Sequence, residues 1–282
     1  MNIATAISSA AEILQNAKIP ECRREASSLM AFILQRNAAF VIAHSDDELA
    51  ANQKMLFESC VRRRARHEPF QYITRRQEFY GLEFEVTPDV LIPRPETEIL
   101  VEQTVEVLSR LENPRFCEIG VGSGCISVSI LHSVETASGV GADISESALN
   151  VARSNALKHE VDKRLNLQQS DLFSQVSGLY DLIVSNPPYV PREQIDSLQA
   201  EVRDFEPSIA LDGGEDGLSI IEEIIRTSPE FLNNKGFLLL EIGFDQAMKV
   251  EKLFDRRIWK EPKFLADLQG IPRVVKVMKE DS

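Results

Sequence analysis

Short apolar runs alternate with amphipathic stretches through the central and later part of this 282-residue chain, and that rhythm limits the fold more than any other feature. Strands are predicted at residues 115–119, 139–143, 165–169, 180–185 and 236–242, and helices at 124–132, 146–159, 218–227 and 245–254. Strands that are apolar on both faces need cover on both, and a helix between each pair supplies it. The expected architecture is therefore α/β, a doubly wound and mostly parallel sheet. The rhythm breaks near the end. Strands at 258–264 and 274–278 are joined by a Gly/Pro-containing link with no helix between, so the final strand is predicted antiparallel.

The first seventy residues read differently. Ala26, Leu29, Met30, Ile33 and Leu34 recur at helical spacing. Pro20 and Glu21 open a second helix, Asp46, Asp47 and Glu48 are expected in the first turn of a third, and Pro69 ends the pattern. From Phe79 to Val86 the period falls to two around Gly81, which predicts a hairpin. Pro95, followed by Glu96 and Glu98, suits the first turn of a helix running to about Arg110. The expected division is a helical bundle over 1–72, a β-hairpin linker over 73–90 and an α/β domain over 91–282.

Composition narrows the function classes. With 43% hydrophobic and 27% charged residues the chain reads as a globular protein, and no run of 18 apolar residues suggests a membrane span. The first helix carries Glu12 and no basic leader, unlike a signal peptide. Cys22, Cys60, Cys117 and Cys125 form no C-x-x-C pair, so free thiols in a reducing cytoplasm are expected, and no metal site. A net charge of -13 argues against stable binding to naked nucleic acid. The charge is uneven: residues 1–72 hold nine Lys/Arg against eight Asp/Glu. Arg62, Arg63, Arg64 and Arg66 cluster there, either as a solvated helix end or as a docking patch for an acidic or RNA-like partner.

Two segments carry chemistry. The first strand of the alternation ends in Glu118-Ile119-Gly120-Val121-Gly122-Ser123-Gly124, directly before a helix. Glycines there let the backbone turn sharply and approach a ligand at the positive end of the helix. Asp143, ending the next strand, is placed to accept from ribose hydroxyls. The dinucleotide fingerprint has a different glycine spacing, and an acid at Glu118 suits an ammonium better than a pyrophosphate. This disfavours a nicotinamide-dependent oxidoreductase. The acid-led glycine pattern resembles motif I of class I methyltransferases. That resemblance places S-adenosylmethionine on Glu118, Gly120, Val121, Gly122, Ser123, Gly124 and Asp143, with Asp171 facing the adenine amine, Leu172 against its ring and Asn186 nearby.

The fourth strand ends in Asn186-Pro187-Pro188-Tyr189 at the carboxyl edge of the sheet, where open α/β folds bind ligands. A planar NH2 is a poor nucleophile because its lone pair is delocalised. Two acceptors taking its two N–H bonds can aim that lone pair at a methyl group and stabilise the growing charge. The Asn186 side chain and the Pro187 carbonyl can be those acceptors, while both prolines stiffen the loop and Tyr189 can pack on the flat group. The tetrapeptide alone leaves open a glutamine amide or an exocyclic base amine.

Glu68 to Ile73, Phe79-Tyr80-Gly81, Leu91 to Glu98, Phe205-Glu206-Pro207, Ala210 to Leu218, Glu241-Ile242-Gly243 with Gln246, and Asp267 to Val275 occur in order around these motifs. Together they resemble the PrmC/HemK family. The resemblance implies methylation of the glutamine side-chain nitrogen in the Gly-Gly-Gln motif of class 1 peptide-chain release factors. It makes residues 1–72 a substrate-docking domain and Asn186, Pro187, Pro188 and Tyr189 the glutamine-binding residues. Leu172 departs from the family, standing where an aromatic residue often stacks on adenine. The alternatives are an N6-adenine methyltransferase acting on DNA or RNA and a non-catalytic cofactor-binding module.

Overall fold

The computed structural model describes residues 1–281. The chain divides into two units: Met1–Arg76 with Gln199–Phe205, and the remaining described residues. The first unit is built from α1 (Ile3–Asn16), α2 (Cys22–Leu34), α3 (Ala38–Ala43), α4 (Ala51–Arg64) and α5 (Phe70–Thr74). Asn2 starts α1 by accepting from the Thr5 N–H at 2.9 Å. Ile3, Ala6, Ile7, Ala10 and Leu14 then bury one stripe of that helix against Ala26, Leu29 and Met30 of α2 and Phe57 and Val61 of α4.

Two sequence expectations fail here. Asp46, Asp47 and Glu48 do not open a helix; they lie in the turn between α3 and α4. The Ser45 and Asp47 carbonyls accept from Ala4 and Ile3 at 2.8 and 3.0 Å, so this turn satisfies the exposed N–H groups at the start of α1. α4 begins instead at Ala51, where Gln53 accepts from the Ala50 N–H at 3.1 Å. Pro69 likewise does not end helical structure but stands at the N-cap of α5. The basic cluster is also less uniform than a solvated helix end. Arg64 is only 2% exposed, and its guanidinium pairs with Glu25 and, at 2.6 Å, with Glu201. Arg63 pairs with Glu68. Arg62 reaches Glu58 at 4.0 Å, so carboxylates of the same chain pair with three members of the cluster.

A hairpin follows, β1 (Arg76–Phe79) and β2 (Leu82–Glu85), all but Arg76 within the second unit, and its two-residue turn holds Tyr80 and Gly81 at φ of 52° and 72°. A single 3-10 turn, Pro95–Thr97, leads into α6 (Glu98–Leu108). The main sheet has seven strands: β3 (Arg115–Ile119), β4 (Ser138–Asp143), β5 (Leu165–Gln169), β6 (Tyr180–Ser185), β7 (Leu232–Glu241), β8 (Lys263–Ala266) and β9 (Pro272–Met278). Their spatial order is β5-β4-β3-β6-β7-β9-β8. The first five run parallel, and β9 is antiparallel to both its neighbours. The strand expected at 258–264 begins only at Lys263. Pro262 cannot donate to a ladder, and Trp259 instead forms an isolated bridge with Lys279.

α7 (Cys125–Ser133), α8 (Glu146–Lys158), α10 (Ser219–Thr227) and α11 (Ala247–Glu251) accompany the sheet, while α9 (Ala200–Phe205) belongs with the first unit. Separate apolar clusters form around Phe116, Leu182 and Leu239 and around Ile183, Leu238 and Leu240, as expected for alternating side chains of a sheet packed on both faces. Ile221, Ile224 and Ile225 of α10 enter the second cluster, and burying each contributes ~1.5–3 kcal/mol. Register sets the site. Glu118 lies level with Gly141 on β4 and Val184 on β6, so the ends of β3 and β6 present Gly120 and Asn186 side by side.

Candidate active site

A cavity of about 360 Å³ opens at the carboxyl ends of β3, β4 and β6. Glu118, Gly120, Val121, Gly122 and Ser123 from the first loop line it. Asp143, Asp171, Leu172, Asn186 and Pro188 line it as well. Gly124, Pro187 and Tyr189 are not among its lining residues. Gly120, Gly122 and Gly124 all have positive φ, between 52° and 79°, a region that costs other residues strain. At Gly124 a Cβ would also press Ala152 at 3.2 Å, where α7 and α8 meet.

Glu118 is buried. Its Oε2 accepts from the Ser127 N–H at 2.9 Å and from the Ser127 hydroxyl, while Oε1 has no hydrogen-bond partner among the described residues. Burial pushes the carboxyl up to about 8, the Ser127 hydrogen bonds oppose that, and the charge of Asp143 adds to it. A buried acceptor of this kind is suited to a cationic donor brought in by a ligand. Asp143 is also raised by burial; its Oδ2 accepts from Gly122 and its Oδ1 from Ser145, at 2.8 and 2.9 Å. Each oxygen keeps a lone pair for a further donor. Ser170, not Asp171, caps the following turn by accepting from Gln175 at 3.0 Å, which leaves the exposed Asp171 carboxylate at the rim. Leu172 sits beside it at φ 47°, half-buried.

The tetrapeptide is held from several sides. Ser185 donates to the Ile119 carbonyl at 2.6 Å, tying the end of β6 to β3. The Asn186 Nδ2 donates to Thr97 Oγ1 at 3.2 Å. Among the described residues, no hydrogen bond occupies Asn186 Oδ1 or the Pro187 carbonyl. Tyr189 is not among the residues that line the cavity. It packs on the cluster containing Ile242, and its hydroxyl donates to Glu241 Oε1 at 3.3 Å.

Behind the motif, Val190 and Asp212 form a parallel bridge, and the Gly213 N–H donates to the Val190 carbonyl at 2.9 Å. A Cβ at Gly213 would lie 2.8 Å from the Pro188 carbonyl oxygen, and one at Gly217 would lie 2.4 Å from the Tyr189 oxygen. Gln246 Nε2 donates to both the Tyr189 and Gly217 carbonyls at 3.0 Å. The segment 212–217 is therefore a clamp on the back of the motif. At the rim, Arg94 pairs with buried Glu206.

Comparison with known proteins adds independent support. Residues 5–74 match the model of the PrmC N-terminal domain, and residues 96–202 match that of the Methyltransferase small domain. A release factor glutamine methyltransferase of Koribacter versatilis is 39% identical over 98% of this chain and 98% of its own. One from Geobacter sulfurreducens is 40% identical, covering 91% of this chain and 89% of its own. The chain belongs to the release factor glutamine methyltransferase family. A methyltransferase from Pyrococcus furiosus, 17% identical with a TM-score of 0.54, covers 72% of this chain and 91% of its own and shares the fold.

Within this family member, sequence reasoning missed two residues beside the motif. Thr97 falls within the Leu91 to Glu98 stretch and Glu241 within Glu241-Ile242-Gly243, and the sequence singles out neither. Thr97 lines the cavity, and Glu241, 2% exposed, lies behind Tyr189. An acid at the end of an apolar central strand is the one signal that pointed to Glu241, since such a residue is rarely buried without a task.

Proposed function

We infer that this chain transfers the methyl group of S-adenosylmethionine to the side-chain nitrogen of a glutamine in a peptide-chain release factor. One observation carries the assignment of the site: two acceptors, Asn186 Oδ1 and the Pro187 carbonyl, are left without donors at the sheet edge beside the acid-lined cavity. The cavity fits the cofactor chemically. The unpartnered Glu118 Oε1 suits the methionine ammonium, and the spare lone pairs of Asp143 suit ribose hydroxyls. Asp171 and Leu172 would take the adenine edge and face, and the positive-φ loop from Gly120 to Gly124 with Val121 and Ser123 lets the backbone come close.

S-adenosylmethionine supplies an electrophilic methyl group on a sulfonium. Asn186 and Pro187 take the two N–H bonds of the glutamine amide, which turns the nitrogen lone pair toward that methyl. As the nitrogen gains positive character, both hydrogen bonds strengthen, so the two oxygens stabilise the transition state more than the ground state. Pro187 and Pro188 hold the carbonyl still, and Tyr189 anchors the loop through Glu241. No strong base is required, because the acidified N–H can leave during or after transfer.

The reading extends to organisation and setting. Residues 1–72 dock the protein substrate, 73–90 link, and 91–282 carry the reaction on the Gly-Gly-Gln glutamine of class 1 release factors. The protein works in the cytoplasm without stable nucleic-acid binding, consistent with its net charge of -13. Among the described residues no helix is long and apolar enough to cross a membrane. An adenine amine is not favoured, given the release-factor relatives. Mass spectrometry of the Gly-Gly-Gln peptide after incubation with protein and cofactor tests the reading; the glutamine should gain the mass of one methylene. Methyl incorporation into DNA or RNA alone would sink it.

A further inference from the structure

We propose that Asn155, which lies outside the cavity, is the positioning residue of the cofactor loop: its buried amide ties residues 120–124 to the end of the β1–β2 hairpin, so that the loop is already shaped when S-adenosylmethionine arrives. This rests on the reading that the cofactor occupies the acid-lined cavity, and not on which nitrogen is methylated.

The loop needs such a tether. Gly120, Gly122 and Gly124 all have positive φ, and a residue without a Cβ moves among conformations at little steric cost. The first half of the loop is held to β4. Gly120 and Val121 donate to the Ala142 carbonyl at 2.8 and 3.0 Å, and Gly122 donates to Asp143 Oδ2 at 2.8 Å. The second half reaches Ser123, which lines the cavity. There the carbonyl of Ser123 accepts from Asn155 Nδ2 at 2.9 Å. Asn155 itself does not line the cavity, so a ligand entering there does not compete for its bonds.

Asn155 is suited to this work. It sits in α8 with no exposed surface, and its amide bonds to two separate segments. Nδ2 donates to the Ser123 and Glu85 carbonyls, both at 2.9 Å, and Oδ1 accepts from the Glu85 N–H at 2.7 Å. Both NH2 protons are therefore spent. The orientation of the amide is forced, because turning it over would set its oxygen against two carbonyls and its NH2 against an N–H. Toward Glu85 it offers one donor and one acceptor, as the backbone of a neighbouring strand would. The rest of β2 is seated on the same helix. Ser154 donates to Glu85 Oε2, Lys158 pairs with Glu83, and His159 Nε2 donates to the Glu83 carbonyl, each at 2.9 Å. Disturbing a buried amide with all these bonds made is costly, so the Ser123 carbonyl keeps its place before the ligand binds. A loop held in its bound shape avoids the ordering cost at binding, and the benefit falls on cofactor affinity more than on the methyl transfer itself.

The test uses the full chain with S-adenosylmethionine alone as titrant. Calorimetry gives the affinity, melting temperature checks folding, and methyl transfer at saturating cofactor gives kcat. Asn155→Ala should weaken cofactor binding about tenfold, with a smaller change in kcat at saturation. Asn155→Asp keeps the shape and the acceptor for the Glu85 N–H but loses the NH2 group. It should weaken binding by a similar factor, and it serves as the second probe if Asn155→Ala fails to fold. Glu85→Pro removes the N–H at the hairpin end and leaves Asn155 in place; binding several-fold weaker is expected, although Glu85 does not line the cavity. Unchanged affinity in a folded Asn155→Ala or Asn155→Asp would overturn the proposal. So would a lower kcat at unchanged affinity, which would assign Asn155 to the transfer step. Wild-type affinity in Glu85→Pro, with both Asn155 variants impaired, would overturn the part given to the hairpin. Failure of the unmodified chain to bind S-adenosylmethionine would instead overturn the reading of the cavity on which the tether rests.

Discussion

Glu118 and Glu241 are two buried carboxylates in matching positions, near the ends of β3 and β7, and each has one oxygen held and one without a hydrogen-bond partner. Burial raises both, Glu118 to about 8 and Glu241 to about 7. Their surroundings separate them. Glu118 lines the cavity with Asp143 as a second negative charge, whereas Glu241 stands behind Tyr189 with Arg273 offsetting part of its cost. One acid waits for a cation from outside; the other works on its own chain. A buried carboxylate therefore marks a functional site in two ways, as a ligand contact or as the support of one, and cavity exposure tells them apart.

The largest expected effect lies on the side Glu241 supports. Asn186→Ala should cut turnover by about a hundredfold or more while cofactor binding survives, because one of two transition-state acceptors is lost. Steady-state methyl transfer with calorimetric cofactor titration measures both. Loss of cofactor binding in step with activity would mean that the two halves are not separate. Next comes Glu118→Gln. Removing the charge that meets the ligand should weaken cofactor affinity about tenfold or more, with a smaller change in kcat at saturation. An unchanged dissociation constant would erase the distinction between the two acids.

A third measurement sets the two against each other in the ligand-free protein. Each folded-state value lies above the ordinary 4.5, so the folded chain holds protons that the unfolded chain has lost. Stability should therefore decline as pH rises above about 4.5, with the Glu241 contribution ending near 7 and that of Glu118 continuing to about 8. Melting temperature against pH reads this. A slope that persists above pH 7 in wild type and vanishes in Glu118→Gln is the expected result; the same slope in both would assign it elsewhere. The smallest effect is Leu172→Phe. A ring at this half-buried position should tighten cofactor binding by only about threefold, the worth of a modest stacking contact, and weaker binding would show that the left-handed backbone at Leu172 does not admit the larger side chain.

The sheet, the glycine loop and the tetrapeptide were legible in the sequence because each is written in adjacent residues: period, turn chemistry and paired prolines. The contacts that hold them were not. Asn186 and Thr97 are 89 positions apart, and only the fold brings them within 3.2 Å. The differences at Asp46 to Glu48 and at 258–264 have separate causes. Acids that suit a helix start serve as a turn when a neighbouring helix needs carbonyls, and Pro262 keeps the segment before Lys263 out of the ladder. The contact between the Tyr189 hydroxyl and Glu241, 52 positions apart, is likewise made only by the fold.

The clamp of residues 212–217 carries a lesson for anyone borrowing this chemistry. Its grip on Pro188 and Tyr189 runs through bare backbone at Gly213 and Gly217 and the forked amide of Gln246. Grafting Asn186 to Tyr189 onto another sheet would copy the spelling without the vise. The transferable unit is discontinuous: a tetrapeptide, two glycines and a glutamine drawn from three stretches of chain.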